Sequence, residues 1–380
     1  MDKAKDISVI SEMPVAKKRD SNLELFRIIT MLLIVAHHFV VNSGLIDDGV
    51  IYSSPFSVNS IFLLIFGAWG KTGINCFLLI TGYFMCKSHI TINKYLKLLF
   101  EIYFYKIVIS CIFWLTQYET FSVKSLLLTL LPFKNIEHNF TGCFLLFYLF
   151  IPFINILIKN LSEKQHISLI IVLFLTYTVI GTVKRVTFNY ITWFSVVYII
   201  SAYIRLYPKK FFNSSKIIWF MLASIFLSVA SVIGCIWISN KTNRNIAYYF
   251  VTDSNSFLPL ITSVTAFLFF KNLKIKYNGL INAMGASTFG VLLIHANSET
   301  MRKWLWTDLL KNTEHFSSDF MPLYAFICVI AIFIVCCIID QLRIKFLEKP
   351  FFNRLSGKIQ SLSASVICRL NNFADQINIK

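Results

Sequence analysis

Ten apolar runs decide what this chain can fold into. They lie near residues 24–42, 60–85, 97–117, 140–158, 166–183, 190–206, 216–239, 256–271, 280–297 and 320–342. Each is roughly 17–25 residues long, the length a helix needs to cross the hydrocarbon core of a bilayer. Charged residues make up only 14% of the chain, where a soluble domain carries about 25%. The reading is an all-α polytopic membrane protein of about ten transmembrane helices. Residues 1–21 are polar and contain no apolar core or cleavage site, so no secretory signal is read there and the first span is expected to remain.

The formal charge of +17 would suit a nucleic-acid binder, but its distribution argues otherwise. With the N-terminus placed inside, 24 of the 36 lysines and arginines fall on the inner side, nine fall outside and three lie within spans. That asymmetry is the positive-inside rule at work, and it puts both termini in the cytoplasm. Attraction to anionic lipid adds to it. The expected partners therefore exclude nucleic acid and include membrane lipid.

The chain reads as one membrane domain over residues 22–345. A polar cytoplasmic tail, 1–21, precedes it, and a basic cytoplasmic or interfacial tail, 346–380, follows. No Gly/Ser-rich linker or internal repeat divides it. The loop 298–319 is amphipathic and is expected at the surface. The patch "SLLLTLLPF" within 118–139 is too short to span and ends at Pro132, so it reads as re-entrant or interfacial. The nine cysteines form no CxxC pair and read as small apolar residues, with no metal site expected.

Ionisable groups inside spans are costly, so each asks for a reason. In "NLELFRIITMLLIVAHHFVVNSG", Arg27 and His38 are eleven residues apart. On a helix they lie within about 20° of one face and ~16 Å apart along the axis, while His37 points roughly 80° away. A permanent cation at the inner end and an imidazole in the outer half thus face one place. Snorkelling to headgroups would also account for Arg27, and simple packing for a lone histidine. The second span, "GAWGKTGINCFLLITGYFM", carries Lys71, Asn75 and Thr81 among glycines spaced for close helix packing. The ninth, "INAMGASTFGVLLIHANSE", brings His295 to a depth like that of His38. Lys184 and Arg185, in an outward loop, are either glycan contacts or solvated charges. Walker, dinucleotide, HExxH and GxSxG motifs are absent, and the carboxylates within spans are mainly Glu101 and Asp340, which disfavours an ion-coupled pump.

These residues carry a resemblance. "ELFRIITMLLIVAHH" resembles the first span of the acyltransferase-3 family of membrane O-acyltransferases, with its Arg, ten residues, then His, a spacing that selects His38 over His37. "GKTGINCFLLITGYF", "LLFYLFIPFIN", "YIISAYIRLY", "STFGVLLIH" and "IIDQLRIKFLEKP" are similar, in order, to the capsule and exopolysaccharide subset of that family. The resemblance covers about residues 21–355. Where relatives often carry an aromatic pair before the fourth-span "FY", this chain holds His138 and Asn139. Some relatives also carry a soluble esterase-like domain, so here the membrane part is expected to complete the transfer itself.

The resemblance implies transfer of an acetyl or other acyl group from cytoplasmic acetyl-CoA, as co-substrate, to a sugar hydroxyl of an envelope polysaccharide or its lipid-linked precursor, in a bacterial inner membrane. Arg27 would hold the donor's phosphates, and His38 would act either as general base or as an acyl carrier. Lys71, Asn75, Thr81 and His295 are candidates for binding substrate or stabilising the oxyanion. A flippase for lipid-linked glycans, without acyl chemistry, is the rival reading. A glycan polymerase or ligase is disfavoured by the short outward loops.

Overall fold

The computed structural model describes residues 19–88, 90–131, 140–183, 189–242 and 244–354. Among them are helices, turns and loops, with no strand. The helices are α1 (Ser21–Val41), α2 (Val58–Gly67), α3 (Gly70–Met85), α4 (Ile92–Leu115), α5 (Val123–Leu130), α6 (Phe140–Asn160), α7 (Glu163–Leu173), α8 (Ile180–Val183), α9 (Tyr190–Leu206), α10 (Ile217–Thr242), α11 (Phe257–Asn272), α12 (Gly279–Ala286), α13 (Thr288–His295), α14 (Glu299–Lys303) and α15 (Met321–Arg343). Local sequence explains several starts. Asn189 and Asn278 accept from backbone amides three residues on. Ser122 with Ser125, and Ser162 with Gln165, close reciprocal capping boxes that satisfy helix-end donors.

Among the described residues, seven helices are long and apolar enough to cross a membrane, with α2–α3 and α7–α8 each counted as one. An eighth is available if α12–α13 and the segment from Glu299 to Leu309 form one broken span, bent by 94°. The remaining two of the ten apolar runs form shorter helices, α9 and α11, of 17 and 16 residues. Their shortness, and that of Gly279–His295 before the bend, separate this count from the ten read in the sequence.

Helix α1 packs against α2, α3, α11, α12, α13 and α15, and with α2–α3 it is the most enclosed of the long helices. Its direction relative to each neighbour follows from side-chain pairs. Val40 meets Gly67, His37 meets Gly70 and Ile34 meets Gly73, so α1 and α3 run antiparallel. Glu24 meets Gly285 and His38 meets His295, so α1 runs parallel to α12–α13. Lys71 meets Tyr190 and Tyr83 meets Arg205, so α3 and α9 are parallel. The glycines of the second span act as the close-packing reading expected. A Cβ on Gly70 would stand 2.3 Å from the His37 ring.

Polar bonds reinforce the bundle where it is dry. Arg343, almost wholly buried, donates to Asp340 at 2.9 Å and Glu348 at 2.6 Å, and pairs with Glu101 at 3.2 Å, while Tyr105 donates to the same Asp340 oxygen. Glu101 and Asp340, the carboxylates noted in the sequence, are thus part of one buried network joining α4 to α15. Gln341 donates to Ser287 Oγ and to the Ala283 carbonyl, which ties α15 to the break between α12 and α13.

Two loops differ from simple expectation. Residues 298–319 do not merely lie on the surface: Trp306 and Asn312 are fully buried, and Met301 and Leu305 nearly so. The 94° bend after His295 turns this stretch inward. Helix α5 folds back along α4, where Tyr103 and Lys106 donate to the carbonyls of Leu130 and Leu131. At the far end, helical structure continues past Arg343 through Ile344–Glu348 to Arg354, with no break at the 345/346 boundary. Most of the two tails, residues 1–18 and 355–380, and Pro132, His138, Asn139, Lys184 and Arg185 lie outside the described residues.

Candidate functional site

The first helix fixes the axis of the site. Because α1 is unbroken from Ser21 to Val41, the eleven-residue offset from Arg27 to His38 becomes a rise of ~16 Å along one face. At the lower end, Arg27 keeps 28% of its side chain exposed and makes no hydrogen bond to a described residue. Its carboxylate neighbour among the described residues is Glu24, with Nε and Oε2 3.8 Å apart, and Glu24 accepts more closely from Arg19 at 3.2 Å. Glu24 went unnoticed in the sequence, though its position one turn before Arg27 was a usable signal. Its buried carboxylate packs on Gly285, where a Cβ would come within 2.4 Å of Oε2. The guanidinium is therefore oriented by a carboxylate, and no described residue accepts a hydrogen bond from its donors.

At the upper end, His38 Nδ1 lies 2.9 Å from His295 Nε2. Hydrogen-bond logic assigns the protons. His295 Nδ1 is 2.6 Å from the Val291 carbonyl, which only accepts, so Nδ1 carries hydrogen. In neutral His295, Nε2 is then the bare nitrogen and accepts. His38 Nδ1 must donate to it, which leaves the lone pair of neutral His38 on Nε2. No described group pairs with that nitrogen. His295 is fully buried, whereas His38 is only partly so. The outcome is a supported imidazole with its basic nitrogen turned free.

His37 is engaged differently. Its Nδ1 donates to the Gly67 carbonyl at 2.6 Å, and its ring lies against Gly70. It serves as a strut between α1 and the α2–α3 junction.

The bent segment after α13 closes the upper end. The Trp306 ring meets His295 edge-on at 6.4 Å and Phe39 at 5.8 Å, and Asn312 donates to the Phe39 carbonyl. Tyr118 donates to Asp308, and Thr300 donates to Glu119, so the turn after α4 tethers this segment. Arg302 stands close enough for its charge to act on both His38 and His295. Neither Trp306 nor Arg302 stood out in the sequence, because the inward bend has no local signal.

The other candidates are distributed. Lys71 is partly buried, donates to Tyr190 Oη at 2.9 Å, and lies near enough for its charge to act on His37 and His38. Asn75 is fully buried with both ends of its amide used: Nδ2 donates to the Ser254 carbonyl at 2.7 Å, and Oδ1 accepts from Trp193 Nε1 at 2.8 Å. It joins α3, α9 and the loop before α11. Thr81 donates to Phe77 O in its own helix, ten residues from Lys71, and is not brought to the histidine pair.

These features define a class: an all-helical, multi-pass membrane protein with a histidine pair at one end of its central helix and an open arginine at the other. The sequence matches the family model for the acyltransferase domain, acyltransferase-3, over residues 20–340. The chain belongs to this family of membrane acyltransferases. Neither a curated protein nor a solved structure matches it.

Proposed function

We propose that the protein transfers an acetyl group from cytoplasmic acetyl-CoA to a sugar hydroxyl of a cell-envelope polysaccharide or its lipid-linked precursor. In this reading it crosses the inner membrane of a bacterium ten times, counting α9, α11 and the broken span that begins with α12–α13, with both termini in the cytoplasm. The observation that carries the proposal is the alignment on α1 of an open Arg27 and, ~16 Å further along, a His38 whose Nε2 is free.

The donor is anionic at its nucleotide end and reactive at its thioester tip. Arg27 holds phosphate oxygens, a task suited to a planar guanidinium with open donors. The neutral pantetheine arm spans the rise to His38. There Nε2 accepts the proton of the sugar hydroxyl as its oxygen bonds to the thioester carbonyl carbon. The tetrahedral intermediate collapses with cleavage of the carbon–sulfur bond, and the departing thiolate takes the proton back from Nε2. A positioned base of this kind contributes about 10²–10⁴-fold. His295 holds the productive tautomer of His38 by accepting from Nδ1. Lys71 and Arg302, the cations whose charges reach His38, stabilise the oxyanion or meet an anionic acceptor.

The test is proton NMR of the surface glycan from cells with and without the protein, paired with acetyl-CoA consumption by the purified enzyme. The proposal requires O-acetyl signals that vanish without the protein, and thiol release that depends on the glycan acceptor. Vesicles that move labelled lipid-linked glycan and consume no acetyl-CoA would overturn it in favour of a flippase.

A further inference from the structure

A groove lies on the lipid-facing side, away from the histidine pair. Two adjoining hollows of about 570 and 440 Å³ share Phe100, Phe104 and Phe351 in their walls. The larger is apolar throughout and runs along α4 from Leu96 to Val108, against Phe351 and Phe352 at the helical end of the chain's last described segment. Twelve residues of helix rise ~18 Å, close to the ~15 Å hydrocarbon depth of one leaflet. Phe100 stacks on Phe351 at 5.2 Å and meets Phe352 edge-on, so the wall is aromatic and fixed.

Cations cluster at one end of this groove. Arg354 lines the smaller hollow, Lys97 lies over the Phe352 ring at 5.3 Å, and Lys345 lies over Phe346 at 5.1 Å. Two carboxylates nearby, Glu101 and Glu348, share Arg343 with Asp340. None of Lys97, Lys345, Lys349 and Arg354 forms an ion pair with a described carboxylate. A fully apolar slot one leaflet deep therefore ends in cations that lack a counter-charge among the described residues.

We propose that this groove binds an anionic phospholipid, with an acyl chain along α4 and the phosphate between Lys97 and Arg354. A zwitterionic lipid fits the slot equally well and gains less from the cations. Basic groups at the headgroup level favour anionic lipid severalfold each. The inference is independent of the acyl-transfer chemistry.

The test is native mass spectrometry of the full-length protein, titrated with phosphatidylglycerol and phosphatidylcholine bearing the same acyl chains. The wild type should retain phosphatidylglycerol roughly tenfold better. The double variant Lys97→Ala/Arg354→Ala should bind both lipids about equally. Ile107→Trp, which fills the slot at an exposed position, should weaken both. Equal retention of the two lipids by the wild type, or an unchanged preference in the double variant, overturns the proposal. A photo-crosslinker at position 107 should label phospholipid, and labelling of residues 355–380 instead would show that the chain fills its own groove.

Discussion

His38 and His295, 257 residues apart in the chain, share one hydrogen bond of 2.9 Å, and the Val291 carbonyl decides which of them donates. The bond makes His295 a positioning residue whose substitution should act on turnover more than on donor binding. His295→Gln keeps an acceptor near the Nε2 position, whereas His295→Leu removes it. Steady-state kinetics should show kcat falling roughly a hundredfold in the leucine variant, the cost typical of a small misplacement at a reacting centre. The KM for acetyl-CoA should be little changed, and the glutamine variant should recover part of the loss. Equal defects in the two variants would remove the acceptor role.

Arg27 should separate the other way. Arg27→Ala loses charge-assisted bonds worth about 1.5–3 kcal/mol each, so the KM for acetyl-CoA should rise roughly tenfold to a hundredfold. Arg27→Lys should recover only part, because an ammonium does not reproduce a bidentate fork. Truncating the donor to acetyl-pantetheine should erase the difference between variant and wild type.

The part of this arrangement that lies on one helix was legible in the sequence. Arg27 and His38 could be aligned because an eleven-residue spacing fixes both face and rise on an unbroken α1. Matched depth suggested His295, but the contact needed the parallel packing of α1 and α13. Trp306 and Arg302 were hidden because they reach the site through a 94° bend, and the amphipathic stretch 298–319 reads as surface. Asn75 illustrates the converse. A buried amide between glycines suggested a free hydrogen-bonding group, yet Trp193 and the Ser254 carbonyl occupy its two ends.

That engagement makes Asn75 a test of architecture. Asn75→Leu strands the Trp193 donor and the Ser254 acceptor in a dry setting, at about 1–3 kcal/mol per unsatisfied group. Thermal unfolding of the purified variant should begin at distinctly lower temperature. Gly285→Ala, which drives a methyl onto Glu24, should cost about 1–3 kcal/mol by overpacking. It should also disturb Arg27, its neighbour through Glu24, and so raise the KM for acetyl-CoA as well.

The tether between Tyr118 and Asp308 gives a prediction in pH. The hydrogen bond to the Asp308 carboxylate, with some burial, pushes the Tyr118 phenol up to about 12, from near 10 in an unfolded chain. A raised value favours the folded state below pH 10, and the benefit is lost as pH climbs from there through 12. The difference in thermal stability between wild type and Tyr118→Phe should therefore be flat from pH 7 to about 9.5 and shrink above that.

The most direct measurement concerns His38 itself. Wild-type and His38→Ala protein, purified to matched thermal stability, would be given acetyl-CoA and the glycan acceptor, and acetyl transfer to sugar followed by proton NMR. The variant should bind acetyl-CoA with unchanged affinity while transfer falls by about 10²–10⁴-fold. Transfer at the wild-type rate would contradict the assignment of His38 Nε2 as the base.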